Sequence, residues 1–136
     1  MKVKTKIFIL ETDEKYTQEI MTGLDCPECI IKSFRDVWEF IKSVKESDLP
    51  DVLIMNFNLN SDFRSANIIE YYANKIPVII VISRKYDRDT RELCYKSGAT
   101  DVIRKEKIKE VIRATRNLWK HHQTVVINRG ESVSLN

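Results

Sequence analysis

Apolar residues fall along this chain in two alternating rhythms, short solid runs and longer stripes of helical spacing. Lys6–Leu10 (KIFIL) is a short apolar run ending at Glu11, as a strand buried on both faces requires. Asp13–Leu24 carries Tyr16, Ile20 and Met21 at helical spacing, with Gly23 and Asp25 marking its end. Cys29–Phe34 predicts a second strand. Asp36 reads as an N-cap, and Val37, Phe40, Ile41 and Val44 form the helical stripe behind it, stopped by Leu49-Pro50. Asp51–Phe57 (DVLIMNF) is a third buried strand, and Ser61–Lys75 is a helix built on Ile68, Ile69 and Tyr72. Pro77–Ser83 (PVIIVIS) is a fourth strand. Asp87–Ser97 is a polar helix holding Leu93 and Cys94, closed by Gly98. Ala99–Arg104 is a short fifth strand and Lys107–Lys120 the last helix.

Strand and helix alternate five times, which argues a parallel sheet with helices on both faces. Right-handed crossovers leave few topologies. The expected fold is α/β, a doubly wound, flavodoxin-like five-stranded parallel sheet of order 2-1-3-4-5, with its crevice at the carboxyl ends of the strands. The residues just past strands one, three, four and five are then the candidates: Glu11 and Thr12, Asn56, Ile82 or Ser83, and Lys105.

A length of 136 residues suits one domain, taken as 1–121, with 122–136 as a linker or tail. Hydrophobic residues make up 43% and charged residues 32%, enough apolar material for a real core. No apolar run approaches the ~20 residues of a membrane span, and the N-terminus has no secretory h-region, so a cytoplasmic protein is expected. The net charge of +3 is too small to argue nucleic-acid binding by itself. Its distribution is uneven: Arg104 to Lys120 holds seven Lys/Arg against two Glu. There is no GxGxxG, no Walker A pattern and no Ser-His-Asp set. The segment after strand one, Glu11-Thr-Asp-Glu-Lys-Tyr, is acidic and without Gly, so it would repel a flavin phosphate. An unrelated flavodoxin-like domain, with Asn56 and Ser83 as ordinary strand-end residues, remains the plain alternative.

Cys26, Cys29 and Cys94 make no even disulfide framework. Cys26-Pro27-Glu28-Cys29 is a CxxC, open to reading as half a zinc site or a redox pair. Zinc would need further ligands, and only Cys94, His121 and His122 are available, all far along the chain. The favoured reading is a plain turn with Cys29 opening a buried strand.

Several markers in order resemble the receiver domains of two-component response regulators, the CheY-like family, over about Lys6 to Lys120. Receivers read apolar-strand-Asp-Asp, Pro-Asp-x-x-apolar-x-Asp, Pro-apolar-strand-Thr/Ser, and Gly-Ala-x-Asp followed by Lys-Pro. This chain has FIL-Glu11-Thr12, Pro50-Asp51-VLIM-Asn56, Pro77-VIIVI-Ser83, and Gly98-Ala99-Thr100-Asp101-VIR-Lys105-Glu106. The resemblance implies an aspartyl phosphate after strand three, but Asn56 is there, and a carboxamide is a poor nucleophile. It also implies Mg²⁺ held by carboxylates after strand one. Glu11 is a methylene longer than the usual Asp, Thr12 replaces the second acid, and Asp13 reaches the crevice only in a shifted register. Mg²⁺ binding is therefore expected to be weak or absent, with no other cofactor or metal. Ser83 (or Ile82, one residue away) takes the phosphate-contact position, Val102 replaces the switch aromatic, and Glu106 replaces the Pro after Lys105. With no phosphate or Asp to hold, Lys105 has Glu11 as a ready partner.

On the last helix Ile108, Val111, Ile112, Thr115 and Trp119 form the core stripe. Lys109, Arg113, Arg116 and Lys120 form a basic ridge opposite. Its ordinary reading is a solvated face. The sharper reading, implied by the resemblance, is a homodimer face of helix four, strand five and helix five, with Asp101 and Glu110 pairing Arg113 and Arg116 across a two-fold axis, and Leu93, Tyr95 and Val102 as apolar contacts. After it, Thr124–Asn128 is β-branched, Arg129-Gly130-Glu131 turns and Ser132–Leu135 alternates. This resembles the start of an appended DNA-binding winged helix, as in OmpR-like regulators; an added hairpin or a docking tail are the alternatives. The expected function is a non-enzymatic signalling module that binds a protein partner without aspartyl phosphorylation. The competing readings are a receiver half of a transcription regulator still responding to phosphorelay, and DNA contact by the basic last helix.

Overall fold

The computed structural model describes residues 4–45, 48–59 and 64–128. Five strands, β1 (Thr5–Leu10), β2 (Cys29–Phe34), β3 (Val52–Asn56), β4 (Val78–Ser83) and β5 (Asp101–Arg104), pair in parallel in the order β2-β1-β3-β4-β5. Between and after them run α1 (Glu14–Leu24), α2 (Val37–Lys45), α3 (Ser65–Tyr72), α4 (Arg88–Ser97) and α5 (Ile108–Asn128). This is the doubly wound, flavodoxin-like order that the alternating pattern predicts.

The solid apolar runs become the middle of the sheet. Every residue of β3 and β4 is buried, because helices cover both faces. Alternation then sends neighbouring side chains to opposite cores. Phe8 and Leu10 of β1 join the core shared with α2, α3 and α4, while Ile7 and Ile9 join the core shared with α1 and α5. The first core is knitted by rings: Phe8 and Phe34 lie 5.1 Å apart, and Phe40 meets Tyr72 edge-on at 5.2 Å. Burying each such side chain contributes ~1.5–3 kcal/mol. The edge strand β2 leaves Lys32 and Ser33 exposed.

Local chemistry sets the helix ends. Asp13 and Asp87 accept from Tyr16 N and Thr90 N, capping α1 and α4. Gly98 closes α4 at φ 119°, a left-handed conformation that suits glycine. Gly23 lies inside α1, where a Cβ would run into Ile112 of α5, and Asp25 provides the left-handed cap instead. The predicted third helix is shorter than expected, starting at Ser65, and residues 61–63 lie outside the described residues. The fifth strand starts at Asp101 and not Ala99.

The largest correction is at the end of the chain. Thr124–Asn128 is not extended: α5 continues through it to Asn128. No Gly or Pro interrupts residues 121–128, so helix propagation overrides the β-branched preference. Trp119 stacks on His122 at 5.3 Å, and the Thr124 hydroxyl donates to the Lys120 carbonyl at 3.1 Å, back-bonding within the helix. The expected turn at Arg129-Gly130-Glu131 and the alternation of Ser132–Leu135 lie outside the described residues. No described helix is long and apolar enough to cross a membrane.

Candidate functional site

Three strand ends converge at the carboxyl edge of the sheet. Glu11 follows β1, and its backbone N–H still donates to Phe34 O of β2 at 3.0 Å. Asn56 is the last residue of β3. Lys105 follows β5, anchored by its N–H to Ser83 O at 3.0 Å. The sheet order thus delivers one carboxylate, one carboxamide and one ammonium to the same place.

They satisfy one another. Lys105 Nζ lies 2.8 Å from Glu11 Oε1, with side-chain exposures of only 7% and 0%. Asn56 Nδ2 donates to Glu11 Oε1 and Oε2 at 3.1 and 3.2 Å. The Asp13 N–H donates to Oε2 at 2.9 Å, and the Thr12 hydroxyl approaches the same oxygen at 3.4 Å. Asn56 Oδ1 accepts from Asn58 N at 3.1 Å. A buried ion pair persists only when its remaining hydrogen-bonding capacity is filled, and here both carboxylate oxygens are occupied.

Tyr16 closes the site from α1, and no sequence pattern marked it for that role. Its hydroxyl donates to Lys105 O at 2.8 Å, and Lys105 Nζ stands 5.1 Å from its ring centre. Burial, with Glu11 adding to it, holds the phenol well above its ordinary value, so it stays a neutral donor.

Asn56 is uncharged, and the Glu11 carboxylate in the cluster is already paired with Lys105. The residues do not fit Mg²⁺, which is held in octahedral geometry through one or two carboxylates: both oxygens of Glu11 are taken by Lys105, Asn56 and the Asp13 N–H. The Asp13 carboxylate does not replace it, since it accepts from Tyr16 N at 3.1 Å as the cap of α1. Among the described residues no group of three His, Cys, Asp or Glu side chains is placed to hold a metal ion. Ser83 is fully buried, and its hydroxyl donates to Lys85 O at 2.7 Å, fixing the loop after β4. Val102 is buried in the α2–α3–α4 core, with almost no surface of its own.

The expected partner face separates into two. Asp101, Glu110 and Arg113 line one groove of about 540 Å³ with Tyr86, Arg104 and Lys107. Arg116 is not part of it. Its guanidinium reaches the other way, donating to Gly23 O and Leu24 O at 2.7 and 2.8 Å, and so caps α1. Leu93 and Tyr95 are exposed, and the Tyr95 hydroxyl donates to Asp101 Oδ1 at 3.0 Å. Tyr86, also unmarked by the sequence, is held between Arg91 and Arg104, 5.0 and 4.8 Å from its ring centre.

The CxxC is more than a plain turn. Cys29 does open β2, which is a half-buried edge strand and not the buried strand expected, and its sulfur is bonded to that of Cys26, across a Cα–Cα distance of 5.3 Å. Sulfurs bonded to each other are not thiolate ligands, which removes the zinc reading for this form. Cys94 is free and buried, its thiol pushed up to about 11 by burial.

No family model matches this chain, and no curated protein matches it in sequence. Solved structures do match in shape. A signal receiver domain from Vibrio parahaemolyticus superposes with a TM-score of 0.79 at 14% identity, over 92% of this chain and 97% of that one. The phosphorylated cyanobacterial phytochrome response regulator RcpA gives 0.74 at 15% identity, over 86% and 94%. The RcsB response regulator of Salmonella typhimurium, in a structure concerned with conformational dynamism for DNA interaction, gives 0.75 at 17% identity, over 87% of this chain and 61% of that one. This chain has the CheY-like receiver fold of response regulators.

Proposed function

We propose that this chain is a receiver-type signalling module that works by binding a protein partner, in which the Glu11 carboxylate occupies Lys105 in place of a phosphorylated aspartate. The observation that carries this reading is the buried Glu11–Lys105 pair, with Asn56 donating to the same carboxylate. Lys105 has its anion already, and Asn56 has no charge to attack phosphorus with. In this reading the module is not an enzyme, and its output comes from the partner it binds.

A second reading keeps the module as the input half of a DNA-binding regulator. The continuation of α5 to Asn128 favours it, since residues 121–128 add ~12 Å of stiff helix that could join a following domain. The match to RcsB is compatible with that arrangement.

The test is thermal unfolding with millimolar Mg²⁺, with and without beryllofluoride, at fixed ionic strength. A ligand that binds only the native state raises apparent stability, by ~2.7 kcal/mol at a hundredfold excess over its Kd. An unchanged midpoint is expected. A clear rise would show a working metal and phosphoryl site and reject the reading.

A further inference from the structure

The Cys26–Cys29 bridge lies at the opposite end of the sheet from Glu11, in the connection between α1 and β2. Both cysteines are half-buried and line a groove of about 610 Å³ shared with Arg116, Trp119, Lys120 and Gln123 of α5. Stabilisation is a poor reason for this bridge. It joins residues three apart, and so short a loop restricts the unfolded chain least. The domain also has two apolar cores of its own.

The bridge instead lies beside the contact between α1 and α5. Cys26 comes two residues after Leu24, whose carbonyl, with that of Gly23, accepts both hydrogen bonds from Arg116. At Gly23 the two helices approach so closely that a Cβ would collide with Ile112. Trp119 Nε1 donates to Thr5 Oγ1 at 3.1 Å beside the same groove, and beyond it α5 runs on to Asn128. The turn carrying the sulfurs therefore directly follows the end of α1 that Arg116 of α5 holds.

We propose that Cys26 and Cys29 form a thiol–disulfide exchange site, reduced by a dithiol, whose reduction loosens the α1–β2 connection and with it the foot of α5. In the reaction a thiolate of the dithiol attacks one sulfur of the bridge. The Cys–Cys bond breaks, a mixed disulfide forms, and the released sulfur leaves as thiolate and takes a proton. The dithiol's second thiolate then attacks the mixed disulfide and frees the other cysteine. The protein gains two electrons and two protons, and the dithiol is oxidised to its own disulfide. Arg116 and Lys120 line the groove with the two cysteines, as do Asp25 and Glu28. Access separates this pair from Cys94, which is fully buried.

The test uses the whole chain, oxidised and then treated with dithiothreitol under native conditions. Thiol titration should find no reactive thiol before treatment and two after it, with Cys94 appearing only on unfolding. Hydrogen exchange should then quicken several-fold at the backbone amides of α5 from Arg116 onward and at the end of α1, while β3 and β4 stay protected. The Cys26→Ser/Cys29→Ser double variant should show the quickened pattern without reductant and no response to it. Three free thiols in a chain exposed to oxidised glutathione, a bridge that resists dithiothreitol until unfolding, or unchanged exchange at the foot of α5 on reduction of the wild type would each overturn the proposal.

Discussion

Lys105 and Glu11 form a buried ion pair at 2.8 Å between the carboxyl ends of β5 and β1, and Asn56 completes it from β3. Its behaviour follows from its burial. Removing one member leaves the other charged and dry, which costs ~3–5 kcal/mol, whereas removing both charges costs far less than the sum. Lys105→Met should therefore destabilise the chain by about 3 kcal/mol in urea unfolding. Glu11→Gln/Lys105→Met should lose less than the two single changes added together. Additive losses would mean that the pair is not coupled as the geometry requires.

The amino-acid sequence alone makes this pair legible. The order 2-1-3-4-5 brings the ends of β1, β3 and β5 to one crevice, so Glu11, Asn56 and Lys105 follow from strand boundaries. The solid apolar runs at β3 and β4 are equally readable, since burial on both faces leaves no room for polar alternation. Tyr16 is not, because its contact with Lys105 spans 89 positions and depends on how α1 packs. The helical continuation at Thr124–Asn128 escapes a sequence reading because β-branched residues favour strands only when there is a sheet to join. The CxxC is legible as a candidate redox pair, but the sequence does not choose it over a plain turn, because the bridge closes only if the turn brings the two sulfurs together.

Arg113 and Arg116 look equivalent on a helical wheel, three residues apart, yet they face different grooves. Arg113→Glu should weaken any self-association through Asp101, Glu110 and Arg113 in a salt-dependent way, as rim ion pairs contribute ~0.2–1 kcal/mol each. It should leave monomer stability within ~0.5 kcal/mol. Arg116→Ala should do the reverse, lowering stability by about 1.5 kcal/mol through the lost cap on α1. Light scattering and urea unfolding of the two variants measure both effects. Loss of association from Arg116→Ala alone would show that the two arginines share one interface after all.

Asp48 ties the edge of the sheet together, accepting from Lys32 Nζ at 2.6 Å and Lys6 Nζ at 3.0 Å. These two hydrogen bonds hold its carboxyl below its ordinary value of 3.8. A depressed folded-state value means stability fully present above the unfolded value and lost as pH falls through the folded one. The pairs are partly exposed, so together they contribute on the order of 1 kcal/mol. Asp48→Asn should lower stability by that amount at neutral pH, and the gap should close in strong acid. A gap that persists at the lowest pH would assign the loss to packing and not to charge.

The central claim, that Lys105 is held by Glu11 and that Asn56 has removed the phosphate acceptor, meets its most direct test in intact-mass measurement. The chain is incubated with acetyl phosphate and Mg²⁺, alongside the Asn56→Asp variant. The wild type should remain unmodified at every time point. The variant should gain at most a small fraction of acid-labile phosphate, because Lys105 still holds Glu11 and Thr12 still brings no carboxylate to a metal. Stoichiometric acid-labile phosphate on the wild-type chain would contradict the account.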